Sequence, residues 1–448
     1  MIDWGCPSSW RLPHLLWVLL AIPSGARAEL PCCDSDDCGL PRFPLPRPFV
    51  ETELQGATGR ELASFYADLA RTAAGQGKTR IAFFGDSHTA TDRLPGRLRE
   101  NLQGHFGHAG AGLVMPGKPR SWYRHELAVV GDVSGWRIIS PPRRAPEEPL
   151  RVGISGFALS TRWRKPLLVR FGRFRAGQEH THAGRFEVHF LKQPGGGGLR
   201  AKLDGKQVGV VSTQAETMAF GRHAFTAQEG LHRLSLSGMA DGEVTVFGVV
   251  GEREQSGVIV DTLGNVGARV REQLFWDAAI YDAQLSARRP NLVVLAYGTN
   301  EAMDAKQPLA EYEAELHDVV GRIRHAVPNA ACLLVGPTDH PERFVNRWGR
   351  RYRDRPRTAQ IIAAQRRVAR HHGCATFDLV HVTGGPMSMR RLVKHRRHYG
   401  APDHVHFTRA GYRALGDALS GALIRGYGRW LETACSALPG TPAGAQSP

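Results

Sequence analysis

Two segments of this chain are apolar at every position over the length of a strand: "LVVLA" at Leu292–Ala296 and "ACLLV" at Ala331–Val335. A third, "IAFF" at Ile81–Phe84, breaks off into Gly85, Asp86, Ser87 and His88. A strand with one wet face alternates polar and apolar residues. A run with no polar member is buried on both faces, as in a parallel sheet covered by helices on each side. Helical rhythms stand where such a sheet needs them. "DRLPGRLRENLQGHFG" repeats Leu94, Leu98, Leu102 and Phe106, with Pro95 in its first turn. Tyr312, Leu316, Val319 and Ile323 mark a helix between the two later strands, and "TAQIIAAQRRVARHHG" and "TRAGYRALGDALSGALIRGY" mark two more. The pattern predicts an α/β domain built on a parallel sheet.

That domain is interrupted. From about residue 120 the style changes to short β-type runs separated by glycine-rich turns, among them "LLVRFGRF", "RFEVHFLKQ", "KLDGKQVGVVS", "LHRLSLSG" and "EVTVFGVVGE". Closely spaced strands of this kind predict a β-sandwich. The 448 residues exceed what one core ordinarily serves. The expected division is an N-terminal arm and helix at 29–78, the first α/β part at 79–119, a β-sandwich insert at 120–252, the second α/β part at 253–432 and a disordered tail at 433–448.

Residues 1–28 read as an export signal. "LLWVLLAIP" is an apolar stretch too short to span a bilayer, and "SGARA" ends in a small-residue site at Ala26 and Ala28. This predicts a periplasmic or secreted protein with no stable membrane insertion after cleavage. Of seven cysteines, Cys32, Cys33, Cys38, Cys332, Cys374 and Cys435 lie beyond Ala28, where an oxidising compartment permits disulfides. The net charge of +16 favours anionic partners, and for an exported protein these are wall polymer or membrane surface before nucleic acid. No nucleic-acid-reading module is present, so nucleic acid is not expected as a partner. The basic runs "RWGRRYRDRPR" and "RRLVKHRRHYG" read equally well as solvated faces.

Four short blocks carry the chemistry. "GDSH" places Ser87 directly after the first strand, although turns there favour Gly, Asp and Ser in any case. "YGTNEA" places Asn300 at the carboxyl end of "NLVVLA", where parallel sheets face their ligands; helix capping is its alternative role. In "PDHVHFTRAGY", Asp403 and His406 stand three apart, so the carboxylate can receive the imidazole Nδ1–H and leave Nε2 for a serine. "DTLGNVGARV" offers Gly264 and Gly267, at which backbone N–H can approach a ligand.

In these four blocks, in this order, the chain resembles the SGNH hydrolase superfamily, also called the GDSL family, over about residues 79–118 and 253–432. The resemblance implies a flavodoxin-like three-layer α/β/α domain. It makes Ser87 the nucleophile, His406 the general base and Asp403 its orienting partner. The oxyanion hole maps to the backbone N–H of Ser87, the N–H of Gly267 and the Asn300 amide, with Gly264 as the other candidate glycine. It implies no cofactor and no metal. Two departures are His88, where leucine is usual, and Glu301, where aspartate is common. The run after the serine is most similar to exported bacterial SGNH proteins that act on O-acetylated peptidoglycan and carry a carbohydrate-binding-like β domain at the place of 120–252. Their "GG-x-x-S-M" run appears as Gly384–Met389, with Leu392 near the place of a frequent tryptophan. The implied function is a serine esterase that removes O-acetyl groups from a cell-wall or extracellular polysaccharide, peptidoglycan first. A polysaccharide O-acetyltransferase on the same scaffold and a non-catalytic glycan-binding protein are the alternatives.

Other histidines and cysteines carry less. His180, His182 and His189 fall in the insert without a third ligand at a known spacing, "CCDSDDC" lacks the residues that complete a zinc site, and "HHGC" at His371–Cys374 suits a helix end.

Overall fold

The computed structural model describes residues 39–56, 58–142, 144–172 and 182–436. The export segment, Cys32, Cys33, Cys38, His180 and residues 437–448 lie outside the described residues. A five-stranded sheet, parallel throughout, organises the α/β domain. Its spatial order is Gly257–Gly264, Lys78–Gly85, Leu292–Ala296, Ala331–Val335 and Ala375–Phe377. The first three are called here the glycine, serine and asparagine strands.

The apolar runs have the two-sided burial that their composition requires. Ala82, Phe84, Val293, Leu295 and Leu334 face one layer and join a core with Tyr281 and Leu285 of helix Ala278–Arg288, Leu316 and Val320 of helix Leu309–Ala326, and Ile361 and Val368 of helix Pro356–His372. Ile81, Phe83 and Val294 are equally buried on the opposite face. There lie the helices Ala63–Ala73 and Leu94–Phe106, and Asn101 of the latter donates to Ser420 of the last helix. Pro95 is in the first turn of its helix, where its missing N–H costs nothing. Cys332 and Cys374 form a disulfide that ties the fourth strand to the start of the fifth.

The β region forms two antiparallel sheets, of six and five strands. Strand Pro166–Phe171 alternates strictly, with Leu167, Val169 and Phe171 inside and the residues between them exposed. These inner residues meet Leu234, Leu236, Phe186, Val188 and Val246 in a core shared by the two sheets, which is a sandwich. "KLDGKQVGVVS" is two strands joined at Asp204 and Gly205, not one. Gly110–Val114 hydrogen-bonds to Val244–Glu252 and so belongs to the six-stranded sheet, although the sequence places it with the first α/β unit. The last helix runs to Ser436, past the expected boundary at 432. Both layers belong to the unit Gly39–Trp430. Among the described residues no helix is long and apolar enough to cross a membrane.

The sandwich is locked to the α/β domain by buried polar groups. Arg288 pairs with Asp261 of the glycine strand at 2.8 Å and with Glu252 at the end of the sandwich strand Val244–Glu252 at 3.1 Å. Burial raises the Glu252 carboxyl, but Arg288 and Arg80 outweigh it and hold the group at about 2. His189 is fully buried between Glu187 and Gln284, with a hydrogen bond on each ring nitrogen, so it is a satisfied core histidine.

Candidate active site

Sheet register brings the sequence blocks together. Gly85 is level with Gly264 on one side and Ala296 on the other, so the glycine, serine and asparagine loops leave three adjacent strands at one height. This is the carboxyl edge of the sheet, where open α/β folds bind ligands. Ser87 opens a one-turn helix, Ser87–Ala90, capped by Asp86, whose Oδ1 accepts the His88 N–H at 2.9 Å. The Asp86 carboxyl is fully buried, and burial pushes it up to about 7 against the pull of these hydrogen bonds.

The Asp403–His406 loop enters from before the last helix. His406 Nδ1–H donates to Asp403 Oδ2 at 2.7 Å, which leaves Nε2 to accept from Ser87 Oγ at 2.8 Å. The other oxygen of Asp403 accepts the backbone N–H groups of Val405 and His406, both at 2.9 Å. Partial burial raises the Asp403 carboxyl, but the His406 ring and those two N–H groups outweigh it and hold it at about 2. The carboxylate therefore stays ionised and fixes the imidazole tautomer. His404, between the pair, has φ of +61°, a left-handed conformation that a side chain adopts only when its surroundings impose it.

The two candidate glycines separate cleanly. A Cβ on Gly264 would lie 2.5 Å from the backbone nitrogen of Ala90, so this glycine lets the serine helix pack on the strand. Gly267 has φ of +80°, is exposed, and a Cβ there would meet nothing within 4 Å. Its loop is pinned from three sides. Asn300 Nδ2 donates to Ala268 O at 2.8 Å, Glu301 Oε1 accepts the Val270 N–H at 2.8 Å, and Asn265 Nδ2 donates to Ser155 O of the insert at 2.9 Å. Glu301 also accepts the Gly298 N–H at 3.1 Å and so bridges the glycine and asparagine loops. Burial pushes its carboxyl up to about 7, against the Val270 N–H bond, with Asp86 adding repulsion.

Asn300 thus spends one amide hydrogen on Ala268, and an amide has two to give. It sits inside the short helix Thr299–Met303 and does not cap it.

His88 and residues of the loop after the fourth strand surround the Ser87–His406–Asp403 chain, the latter with no motif to announce them. His88 is buried behind His406, ring centroids 5.3 Å apart, with Tyr412 OH 3.1 Å from Nδ1 and Thr338 Oγ1 3.3 Å from Nε2. Burial, with repulsion from His406, lowers its pKa to about 3, so this imidazole is neutral. Thr338, Asp339 and His340 come from the loop after the fourth strand. Burial lowers the His340 pKa to about 4. Asp339 accepts the N–H groups of Met387 and Met389, which anchors the Gly384–Met389 run. Only their position, after the carboxyl end of a parallel strand, could have flagged these residues. Leu392, near the place of the relatives' tryptophan, is fully buried.

One group of described residues has ligand atoms close enough for a metal: His317, His371 and His372, all within 4.8 Å of one another. It lies on helices Leu309–Ala326 and Pro356–His372, and its last two members precede Cys374 at the start of the fifth strand, the edge opposite Ser87. His317 Nδ1 and His372 Nε2 are 3.0 Å apart and hydrogen-bond to each other.

A hydroxyl, an imidazole and a carboxylate joined in one hydrogen-bonded chain at the strand ends of a parallel sheet form the arrangement used by enzymes with a serine nucleophile. The model of the GDSL-like lipase/acylhydrolase family matches residues 233–414, within the sandwich's last strands and the second α/β part. The matched segment holds Gly267, Asn300, Asp403 and His406. Ser87 lies outside it, because the sandwich separates the serine strand from the rest of its domain. Among solved structures, a peptidoglycan O-acetylesterase is similar at 24% identity and a TM-score of 0.68, over 83% of this chain and 99% of that one. A family two carbohydrate esterase from Clostridium thermocellum, solved with cellohexaose, is similar at 13% identity and a TM-score of 0.27, over 63% and 99%. No curated protein sequence matches the chain.

Proposed function

We propose that the protein is an exported esterase that removes O-acetyl groups from a polysaccharide, with peptidoglycan as its substrate, and that Ser87, His406 and Asp403 are its catalytic residues. The observation that carries this reading is the unbroken chain from Ser87 Oγ through His406 to Asp403. The likeness of the fold to a peptidoglycan O-acetylesterase supports the choice of substrate.

A hydroxyl is a weak nucleophile at its free pKa. As Ser87 Oγ attacks the acetyl carbonyl carbon, His406 Nε2 takes its proton. The carbonyl oxygen becomes an oxyanion, received by the N–H groups of Ser87 and Gly267 and the second amide hydrogen of Asn300. His406 then returns the proton to the sugar oxygen as the carbon–oxygen bond breaks. Water attacks the acetyl-serine, His406 taking one of its protons, and acetate leaves as Ser87 recovers its hydrogen. The Asp403 carboxylate stabilises the imidazolium in both halves.

Ser87→Ala tests the assignment. The variant should keep the wild-type circular dichroism spectrum and lose acetate release from O-acetylated peptidoglycan and from a chromogenic acetate. Near-wild-type turnover would overturn it. Transfer of acetyl to an added glycan acceptor, in place of acetate release, would identify a transferase.

A further inference from the structure

The two most basic runs of the sequence are far apart along the chain, yet they meet beside the catalytic loop. The first forms a hairpin, Glu342–Asn346 paired with Gly349–Arg353. It leaves the carboxyl end of the fourth parallel strand, the same edge from which Ser87 projects. Its Tyr352 ring lies edge-on to the ring of His404 at 4.4 Å, one residue from Asp403. The second run supplies Arg390, whose guanidinium lies 5.1 Å from the centre of the same tyrosine ring.

Register decides which way the hairpin's charges face. Arg343 is opposite Tyr352 and Val345 is opposite Arg350. Opposed residues share a face, and so do residues two apart on one strand. Arg343 and Arg350 therefore stand on the face that Tyr352 turns to the catalytic loop. On the other face Glu342 pairs with Arg353 at 2.7 Å, and Arg351 stands opposite Phe344. At the tip, Trp348 is 62% exposed and Arg347 stacks on it at 3.9 Å.

Guanidinium groups without carboxylate partners gather here, beside the catalytic loop. Several other arginines of the α/β domain do carry a carboxylate partner: Arg97 with Asp417, Arg269 with Asp304, Arg367 with Glu313. Among the described residues, Arg343, Arg347, Arg350 and Arg390 have no carboxylate partner. Unpaired guanidinium groups around a cleft raise the local concentration of anions and bind carboxylates through two parallel hydrogen bonds. The exposed indole adds a flat apolar platform of the kind on which a sugar ring stacks.

We propose that this hairpin and Arg390 form a cationic arm that holds the acetylated polymer against Ser87, and that the polymer is a polyanion bearing carboxylates. The proposal rests on the esterase reading above. The carboxylates have two possible sources, the peptide stems of peptidoglycan or the uronate rings of an acidic polysaccharide.

The test measures acetate release from O-acetylated peptidoglycan, an O-acetylated polyuronate and O-acetylated xylan, at rising ionic strength. A chromogenic acetate serves as a control too small to reach the arm. At low salt, kcat/KM on one or both anionic polymers should exceed that on xylan by about tenfold or more, and the advantage should shrink as salt screens it. Whichever anionic polymer is preferred identifies the source. Arg343→Gln with Arg350→Gln should raise KM on that polymer several-fold and leave the chromogenic acetate unchanged. Trp348→Ala should weaken binding of all three polymers. Equal rates on xylan and the anionic polymers, or an unchanged KM in the double variant, would overturn the proposal. If the wild-type protein cleaves no acetate at all, the esterase reading fails. Co-sedimentation of wild-type and double-variant protein with peptidoglycan, and a pull-down on immobilised polyuronate, then decide the arm by itself.

Discussion

Asn300 donates an amide hydrogen to the carbonyl of Ala268 at 2.8 Å, joining the loop after the asparagine strand to the loop that carries Gly267. Two proposed oxyanion donors are thereby held by one bond, and neither can move without the other. Asn300→Ala removes one donor and loosens the second. Loss of a single such donor lowers kcat by about a hundredfold to a thousandfold. The expected result is a fall in kcat at least that large with little change in KM. An unchanged kcat in steady-state assays on a chromogenic acetate would return Asn300 to a purely structural role.

Asp403→Asn should be nearly as damaging as loss of the serine. The amide can present an N–H where the carboxylate accepted one, and His406 would then carry its proton on Nε2, the atom that must accept from Ser87. In an established triad the same exchange lowers kcat by about 10⁴. The fold should persist, because Asp403 is half exposed. Stopped-flow or burst measurements should show acylation, not substrate binding, as the step lost.

Glu301 bridges Gly298 and Val270 with one oxygen each, from a fully buried position. Glu301→Gln keeps the volume but points an NH2 group at one of those N–H donors. A buried donor left without a partner costs about 1–3 kcal/mol. Thermal or chemical denaturation should show a loss of that order, accompanied by a lower kcat because both loops shift. The pH dependence carries a second signature. The Glu301 pKa rises on folding from 4.5 to about 7. The folded state therefore holds this proton more tightly, and the group's contribution to stability falls as pH rises between those values. That downward slope should be absent from the glutamine variant.

Asp92 should show the opposite sign. It is fully buried, and Arg99 grips both oxygens at 2.8 and 3.0 Å. Burial raises its carboxyl, but Arg99 and His125 outweigh it and bring the group from 3.8 to about 2. Its ionised form thus contributes about 2 kcal/mol that is complete above about pH 5 and is lost as pH falls through 2. Asp92→Asn should be much less stable than wild type at pH 7, since Arg99 is left buried without its partner. The gap should narrow at pH 2.5, where the wild-type carboxyl also begins to protonate. A gap independent of pH in denaturant titrations would contradict the pairing.

Much of this molecule could be read along the chain because its signals are local. A strand buried on both faces must be apolar at every position, which is why "LVVLA" and "ACLLV" declared the sheet. Asp403 and His406 sit three apart in one loop, so their bond needs no long-range folding. The alternation of "PLLVRF" marked a strand with one wet face, and the structure buries every second residue. Glu301 carried no such mark. Its two partners lie on different loops, and no spacing in the sequence records that they meet.

The chain's own order of residues determined which chemical groups are present, a hydroxyl after one strand, an amide after another and an acid–imidazole pair before the last helix. Tertiary structure alone decided that they converge, because strand register sets Gly264, Gly85 and Ala296 at one level and so draws Ser87 within 2.8 Å of a histidine 319 positions away. It also gave two glycines that composition could not rank different surroundings, since only packing shows that Gly264 sits against Ala90 while Gly267 opens to solvent. The two basic runs illustrate the same division. Their charge is written in the sequence, but the side of the molecule it occupies follows from hydrogen-bond pairing across a hairpin and from one tyrosine resting on the loop between Asp403 and His406.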